Sequence, residues 1–448
     1  MFEFGRELRR IFGNQGRFES DSSLYELLNL ELLISQGRSL DIEAGRVSTK
    51  NRFDPHIESA TIWREYARRT GDPLAMRKAA AAAESAGKDA KTIAQAVQAV
   101  LEQALTCLTG ADLFETAELL TSAEGLLAEG RVAVAGISPA DPVLNARLSL
   151  VEGMLGARLA LREGVGELDA ALNAMAHIDR AVEKFDKQVR LTKTNRDKIW
   201  AAQARLERAD LLMAVGIDRQ DSSLMGAVIK DLEAVRARLD SAYEPVTFAT
   251  IVTRLAEAHI HQGQIEGNAE AVSIGIALLS SEDELMVYEH SPLDWVCHKM
   301  ALSCGLEVLA TLTGADYIFD KALAVYDLAL KRPLQKGLGI RARLMSLRAS
   351  CLAQRAEATG DLKSLDDAER AFKEQLRATR PLEDPVDWAI LQTNLGKLYV
   401  TRGDITGFML ERASAAYALD AAKEIFLEHG LHSLAATAEG HLVRLRGI

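Results

Sequence analysis

The chain has 448 residues, 48% of them apolar and 26% charged, with a formal net charge of −11. That length is too great for one ordinary core, so several domains or a repeat array are expected. The acidic balance excludes a general nucleic-acid surface and broad adhesion to anionic lipid. No apolar run reaches the ~20 residues of a membrane span, and no transmembrane segment is expected. Glu3, Arg6, Glu7, Arg9 and Arg10 interrupt the apolar start, which argues against a signal peptide. Cys107, Cys297, Cys304 and Cys351 have no CxxC spacing, a pattern that fits reduced thiols in a cytoplasmic protein better than zinc or disulfides.

Residues 1–50 form a unit distinct from the remainder. "MFEFGRELRRIFG" predicts an amphipathic helix over residues 1–12, with Phe4, Leu8, Ile11 and Phe12 opposite Arg6, Arg9 and Arg10. Two roles stay open for it: capping the first repeat, or peripheral docking on a partner or a membrane surface. "GNQGRFESDSS" reads as a linker. A Leu-rich helix then runs from Ser22 or Ser23 to about Gln36, and a loop continues through Pro55. Residues 51–448 read as a helical repeat array, with weak repeats over 57–290, clearer ones over 291–430 and a capping helix over 431–446.

The array is announced by punctuation. Glycines, often followed by Asp, recur between helical patterns: Gly71-Asp72, Gly110-Ala111-Asp112, Gly164, Gly216-Ile217-Asp218, Gly263, Gly314-Ala315-Asp316, Gly360-Asp361 and Gly403-Asp404. Their intervals run from 39 to 54 residues, the range of helical repeats. Gly ends a helix in the left-handed conformation, and the following Asp caps the next one. Each interval therefore holds two helices, which predicts an all-α solenoid of about eight antiparallel hairpins. In the last hairpin, Asp384 or its neighbour caps and Pro385 occupies the first turn. Trp388, Leu391, Leu395 and Tyr399 share one face, Gly396 permits close approach and Gly403 ends the helix. The returning helix, near 408–428, carries Ala413 and Tyr417. The same step from a small residue to an aromatic occurs at Ala322/Tyr326 and Ala368/Phe372, with Pro333 and Pro381 beyond.

These residues resemble the tetratricopeptide repeat family. Leu395-Gly396 with Tyr399 matches its first helix, Gly403 its turn glycine, and the small-to-aromatic step its second helix. The intervals here exceed the family's period of about 34 residues. The resemblance implies a superhelix whose first helices line a concave groove.

The chemistry is sparse. No phosphate-cradling Gly loop, Gly-x-Ser-x-Gly or His-Glu-x-x-His occurs. His259 and His261 point about 160° apart on a helix and cannot share a metal. His429 and His432 suit a helix end, His298 beside Cys297 suits packing, and Asp366-Asp367 suit a helix start. No catalytic, cofactor or metal residue is assigned, and no cofactor is expected. From Lys331 to Arg355 lie Lys331, Arg332, Lys336, Arg341, Arg343, Arg348 and Arg355, with no Asp or Glu between. Arg341, Arg348 and Arg355 form a line along a helix, and the resemblance adds Asn394 and Arg402 from the next first helix. Either these five grip an acidic or C-terminal peptide, or the arginines bridge to acids elsewhere in the stack. The expected function is a non-catalytic scaffold or adaptor that binds a partner protein segment on its concave face, without nucleic acid. A chaperone-like client-holding, assembly or secretion factor is the alternative. An enzyme or regulatory subunit with an unrecognised site is the alternative from another class.

Overall fold

A computed structural model describes residues 26, 28–46, 48–139, 141–163, 168–192, 194–281, 286–335, 338–382, 385–429 and 432–446. The amphipathic stretch expected over residues 1–12 lies outside these, as do Gly164 and Asp384. The described residues form α-helices and no strand. After α1 (Leu30–Gly45) come eight antiparallel hairpins. They are α2 (Phe53–Thr70) with α3 (Pro73–Asp89), α4 (Ile93–Phe114) with α5 (Ala117–Ala135), α6 (Pro142–Glu163) with α7 (Leu168–Thr192), and α8 (Asn195–Arg219) with α9 (Ser222–Arg236). The series continues with α10 (Pro245–Glu266) and α11 (Ala269–Ser281), α12 (Pro292–Thr313) and α13 (Tyr317–Leu330), α14 (Gly339–Thr359) and α15 (Leu362–Ala378), and α16 (Pro385–Thr406) and α17 (Met409–Glu428). A last helix, α18 (His432–Arg446), covers α17.

The first helix of each hairpin packs on the first helix of the next, from α2 through α18, while each second helix packs outside them. This is the two-layered geometry of an α-solenoid. Between the layers the buried apolar residues gather in successive clusters, bridged by partly buried side chains such as Trp200, Leu224 and Leu309. Tyr326, Phe372 and Phe426 are fully buried on second helices, each four residues after a buried Ala322, Ala368 or Ala422. The small residue lets the helices close and the ring fills the space beyond.

Seven residues, one in each hairpin turn outside 164–167, are left-handed: Gly71, Glu115, Gln220, Gly267, Gly314, Gly360 and Gly407. From Gln220 onward they are spaced 47, 47, 46 and 47 residues apart (267−220, 314−267, 360−314, 407−360). Gly71, Gly314 and Gly360 stand where the sequence placed them. Gly110, Gly216, Gly263 and Gly403 do not turn the chain; each lies inside its helix, four or five residues before the left-handed residue. Their role is close approach. A Cβ on Gly263 would fall 2.6 Å from the Asn268 carbonyl oxygen, and one on Gly110 would fall 2.8 Å from Leu119 Cδ1. The Gly263 carbonyl also accepts the bond that closes the turn, from Asn268 N at 2.8 Å. Asp72, Asp221, Asn268 and Asp361 then cap the second helices through side-chain oxygens.

Two further expectations need correction. Tyr417 is 78% exposed and Ala413 is exposed as well. With the turn at Gly407, the inward pairs of α17 become Ala415/Leu419 and Ala422/Phe426, and Leu419 packs into the space above Gly396. The Leu-rich helix does not stop at Gln36. It continues to Gly45 because Gly37 accepts the Trp63 ring and Asp41 accepts the Trp63 indole N–H at 3.0 Å.

Two substitutions test the turn geometry. Gly263→Ala should destabilise the chain by about 1–3 kcal/mol through overpacking. Gln220→Gly should stabilise it by up to about 1 kcal/mol by relieving a left-handed non-glycine residue. Urea unfolding midpoints of both variants check the opposite signs.

Candidate binding lumen

Ion pairs run from first helix to first helix along the inner layer. Arg64 on α2 donates to Glu102 on α4 at 2.8 Å. Asp112 on α4 receives Arg158 of α6 at 2.7 Å, and Arg158 also reaches Glu207 on α8 at 3.0 Å. Asp210 on α8 pairs with Arg254 of α10 at 2.7 Å, and Arg254 with Glu257 at 2.8 Å. Asp210 keeps 42% of its side chain accessible, yet burial lifts its carboxyl to about 6. A group that touches water but is desolvated by surrounding protein stands in a deep recess. The same holds across the layer. Burial pushes the His261 imidazole down, the Cys297 thiol up to about 11 and the Cys304 thiol up to about 12, while all three remain partly accessible. Arg343 on α14 is exposed and within electrostatic reach of both thiols. Together the inward sides of α6, α8, α10, α12 and α14 form a polar inner face, the candidate lumen.

Beside this inner face the array meets itself. The Arg68 fork on α2 donates to both oxygens of Asp294 on α12, at 2.7 and 2.9 Å, and to both oxygens of Glu65, at 2.8 and 2.9 Å. Fully buried Arg69 donates to Glu65 at 2.7 Å. Burial would raise the Glu65 carboxyl, but Arg68 and Arg69 outweigh it and hold it at about 2. Beside this clasp, the buried Glu26 carboxylate caps the start of α10 from afar. It accepts the Val246 and Thr247 N–H groups at 2.8 and 3.1 Å and the Thr247 hydroxyl. Glu115, in the turn after α4, packs on Gly339 at the start of α14, and Gly71 packs on Leu338. The first two hairpins therefore abut the sixth and seventh, and the segment before α1 abuts the fifth.

The arginines singled out by the sequence face a different way. α13 and α14 are antiparallel, so the seven-residue spacing of Arg348 and Arg355 meets that of Asp327 and Asp320, at 2.6 and 3.1 Å. Arg341 reaches the Leu330 carbonyl at 3.4 Å. Arg402 donates to Glu369 at 2.6 Å and Asp366 at 2.9 Å on α15. An external carboxylate would reach Arg348, Arg355 and Arg402 only by exchange with these partners. Half-buried Asn394 lies thirteen residues before its turn residue, the position that Glu207 and Arg254 hold in their own hairpins (407−394, 220−207, 267−254). Counting back from the left-handed residue is thus the signal that finds the inner column, and it depends on the turns being placed correctly. The histidines behave as structural groups. His298 is buried and lies 3.3 Å from the Thr253 hydroxyl, and His259 faces Glu233 while His261 faces Glu257. Among the described residues no His, Cys, Asp and Glu cluster has metal-binding geometry, and no helix is long and apolar enough to cross a membrane.

One buried carboxyl lies behind the lumen. Glu307 on α12, 7% exposed, accepts the Tyr326 hydroxyl at 2.5 Å and the Gln354 amide at 3.3 Å. Burial lifts it to about 8.

No protein-family description and no curated protein matches the sequence. Among solved structures, the chain is similar to a Rap protein complexed with competence and sporulation factor, at 10% identity and a TM-score of 0.48, over 88% of this chain and 98% of that one. A circular tandem repeat protein with novel repeat topology is similar at 15% identity and a TM-score of 0.28, over 95% and 97% of the two chains. Yeast Tom70 is similar at 12% identity and a TM-score of 0.25, over 92% and 97%.

The two carboxyls give pH dependences of opposite sign. Glu65, depressed from 4.5 to about 2, contributes stability that is full above the unfolded value and lost as pH falls toward 2. Arg68→Ala should cost about 3 kcal/mol at neutral pH and move acid unfolding to higher pH. Glu307, raised from 4.5 to about 8, favours the folded state when protonated, so its contribution is lost as pH rises through that interval. Glu307→Gln should flatten the fall in melting temperature between about pH 4.5 and pH 8, which a buffer series of thermal melts checks.

Proposed function

We propose that the chain is a non-catalytic scaffold that holds a segment of another protein against the inner face of its first helices. The observation supporting this reading is the recess around Asp210, Arg254 and Arg343. Side chains from three hairpins converge there, accessible to solvent yet walled by protein. An extended or helical segment in such a groove pairs its polar groups with these side chains and buries apolar ones between them. Holding by occupancy serves an adaptor and a client-holding factor alike. Four free cysteines suit a reducing, cytoplasmic setting. Arg343 makes no ion pair among the described residues, which favours an acidic residue in the held segment. Arg341, Arg348, Arg355, Asn394 and Arg402 would extend that chemistry along α14 and α16 where a partner's carboxylates displace the internal ones.

Photo-crosslinkers placed at Arg343 and, as an outer control, at Arg370 on α15 test the reading in native lysate. One prey enriched at the inner position alone is the expected result; equal labelling at both positions overturns it. Arg341/Arg348/Arg355→Glu should lose that prey if the segment is acidic, and an unchanged prey removes those arginines from the site.

A further inference from the structure

The outer face of α17 is unlike that of α15, the second helix before it. α15 turns Arg370, Lys373, Glu374 and Arg377 to solvent. α17 instead exposes Met409, Leu410 and Tyr417 to 75%, 78% and 78%, with Phe408 just before the helix and Leu427 near its end exposed as well. Inward packing does not use these side chains, because Ala415, Leu419, Ala422 and Phe426 already fill that side. Leu410, Ala413, Tyr417, Asp420, Glu424 and Leu427 follow at steps of three or four, so they form one stripe. The last unit of a repeat array ordinarily turns a polar face outward, and exposed apolar surface of this kind marks a docking site. Towards the end of α17 the stripe is acidic. Asp420, Glu424 and Glu428 are exposed there, and Glu424 and Glu428 make no ion pair among the described residues.

The sequence holds a segment of matching character outside the described residues. Over residues 1–12, Phe4, Leu8, Ile11 and Phe12 share one face in a helical register, and the segment carries three arginines. Arg9, three residues before Phe12, lies about 60° from it around such a helix and so flanks the apolar face. The flank of the first hairpin is already covered, since α1 packs on α2. The route of the chain favours α17. Glu26 is fixed on Val246 and Thr247 at the start of α10. The starts of α10, α12, α14 and α16 follow one another along one edge. The end of α17 lies on that edge too, with Ala422 and Phe426 packed against Ala389 near the start of α16. Three steps between neighbouring first helices span about 30 Å, and residues 13–25 reach about 40 Å when extended.

We propose that residues 1–12 dock as an amphipathic helix on the outer face of α17 of the same chain and fasten themselves to the last hairpin. Arriving from the edge where α17 ends, the segment sets Arg9 near Glu424 and Glu428, and Phe4 and Leu8 over Tyr417. Attachment through residues 13–25 holds it near that face at millimolar effective concentration. A helix too short to be stable alone then forms against a surface that takes its apolar side. The outer face of α17 lies away from the Asp210 and Arg254 column, and the inference does not depend on the scaffold reading.

A benzoylphenylalanine photo-crosslinker placed at Tyr417 of the purified full chain tests the proposal, with the same group at Arg370 on α15 as control. The expected product keeps the mass of one chain, and peptide mapping joins position 417 to residues 1–12. Leu8→Asp should cut its yield about tenfold. Arg9→Glu should lower the yield as well, and Glu424→Arg with Glu428→Arg in that same chain should restore it. A product of twice the mass, joining position 417 to residues 1–12 of a second copy, overturns docking within one chain. Absence of any link from position 417 to residues 1–12 overturns it too, and leaves the face to another protein or a lipid surface. Equal linkage from Arg370, or a yield unaltered by Leu8→Asp, has the same force. Tyr417, Arg370, Glu424 and Glu428 are all exposed, and circular dichroism confirms that each variant keeps its helix content.

Discussion

The architecture depends on how closely two helices of one hairpin can approach at the turn. A left-handed residue reverses the chain, and a small residue four or five positions earlier lets the second helix come close: Gly110, Gly216, Gly263 and Gly403 in four hairpins, and buried Ala67, Ala310 and Ala356 in three. Both conditions act on the backbone, so they fix the crossing of each pair before side-chain packing begins. The buried Ala322/Tyr326, Ala368/Phe372 and Ala422/Phe426 pairs then convert that crossing into a repeated interface. From the fourth hairpin onward the steps are nearly equal, and equal steps accumulate into a regular superhelix.

A regular superhelix can remain open, but this one returns to its own beginning. The clasp at Arg68 and Asp294 gathers five ionised or polar groups in a largely buried place. Such a cluster is costly unless every member is satisfied, and here the bidentate forks satisfy it. The closure also explains the electrostatics inside. Asp210 and Cys297 are accessible, but the protein on the far side of the recess thins the water around them, so their protons are held more tightly. Arg254 is shared between two carboxylates in the same space, which keeps the wall hydrophilic while limiting its net charge.

Helix content, pairing and the number of hairpins were legible because Ala and Leu periodicity and recurrent glycines are local signals. The exact turn residue was less legible. Gly263 and Gly267 both suit a turn, and only the approach of Val272 on the second helix distinguishes them. Glu115 and Gln220 turn the chain without glycine, which no turn signature marks. That ambiguity carried into function. The inward pair of α17 moves two residues along, from Ala413/Tyr417 to Ala415/Leu419, and two residues are about 160° apart around a helix, so the misplaced turn put the opposite face inward. The line of Arg341, Arg348 and Arg355 was correctly read as one stripe, but the matching Asp320 and Asp327 lie on another helix with the chain reversed, and sequence spacing alone does not show which stripe faces which.

The clasp has a consequence for how such a chain can change length. An open solenoid gains or loses whole units with little penalty, because each unit knows only its neighbours. Here Arg68 must find Asp294, and Glu26 must find the start of α10, across more than 200 intervening residues. Duplicating or deleting one unit between them would rotate the two halves out of register. This array behaves as a counted object with a defined number of modules between its fastened ends, closer to a buckled belt than to an extensible chain.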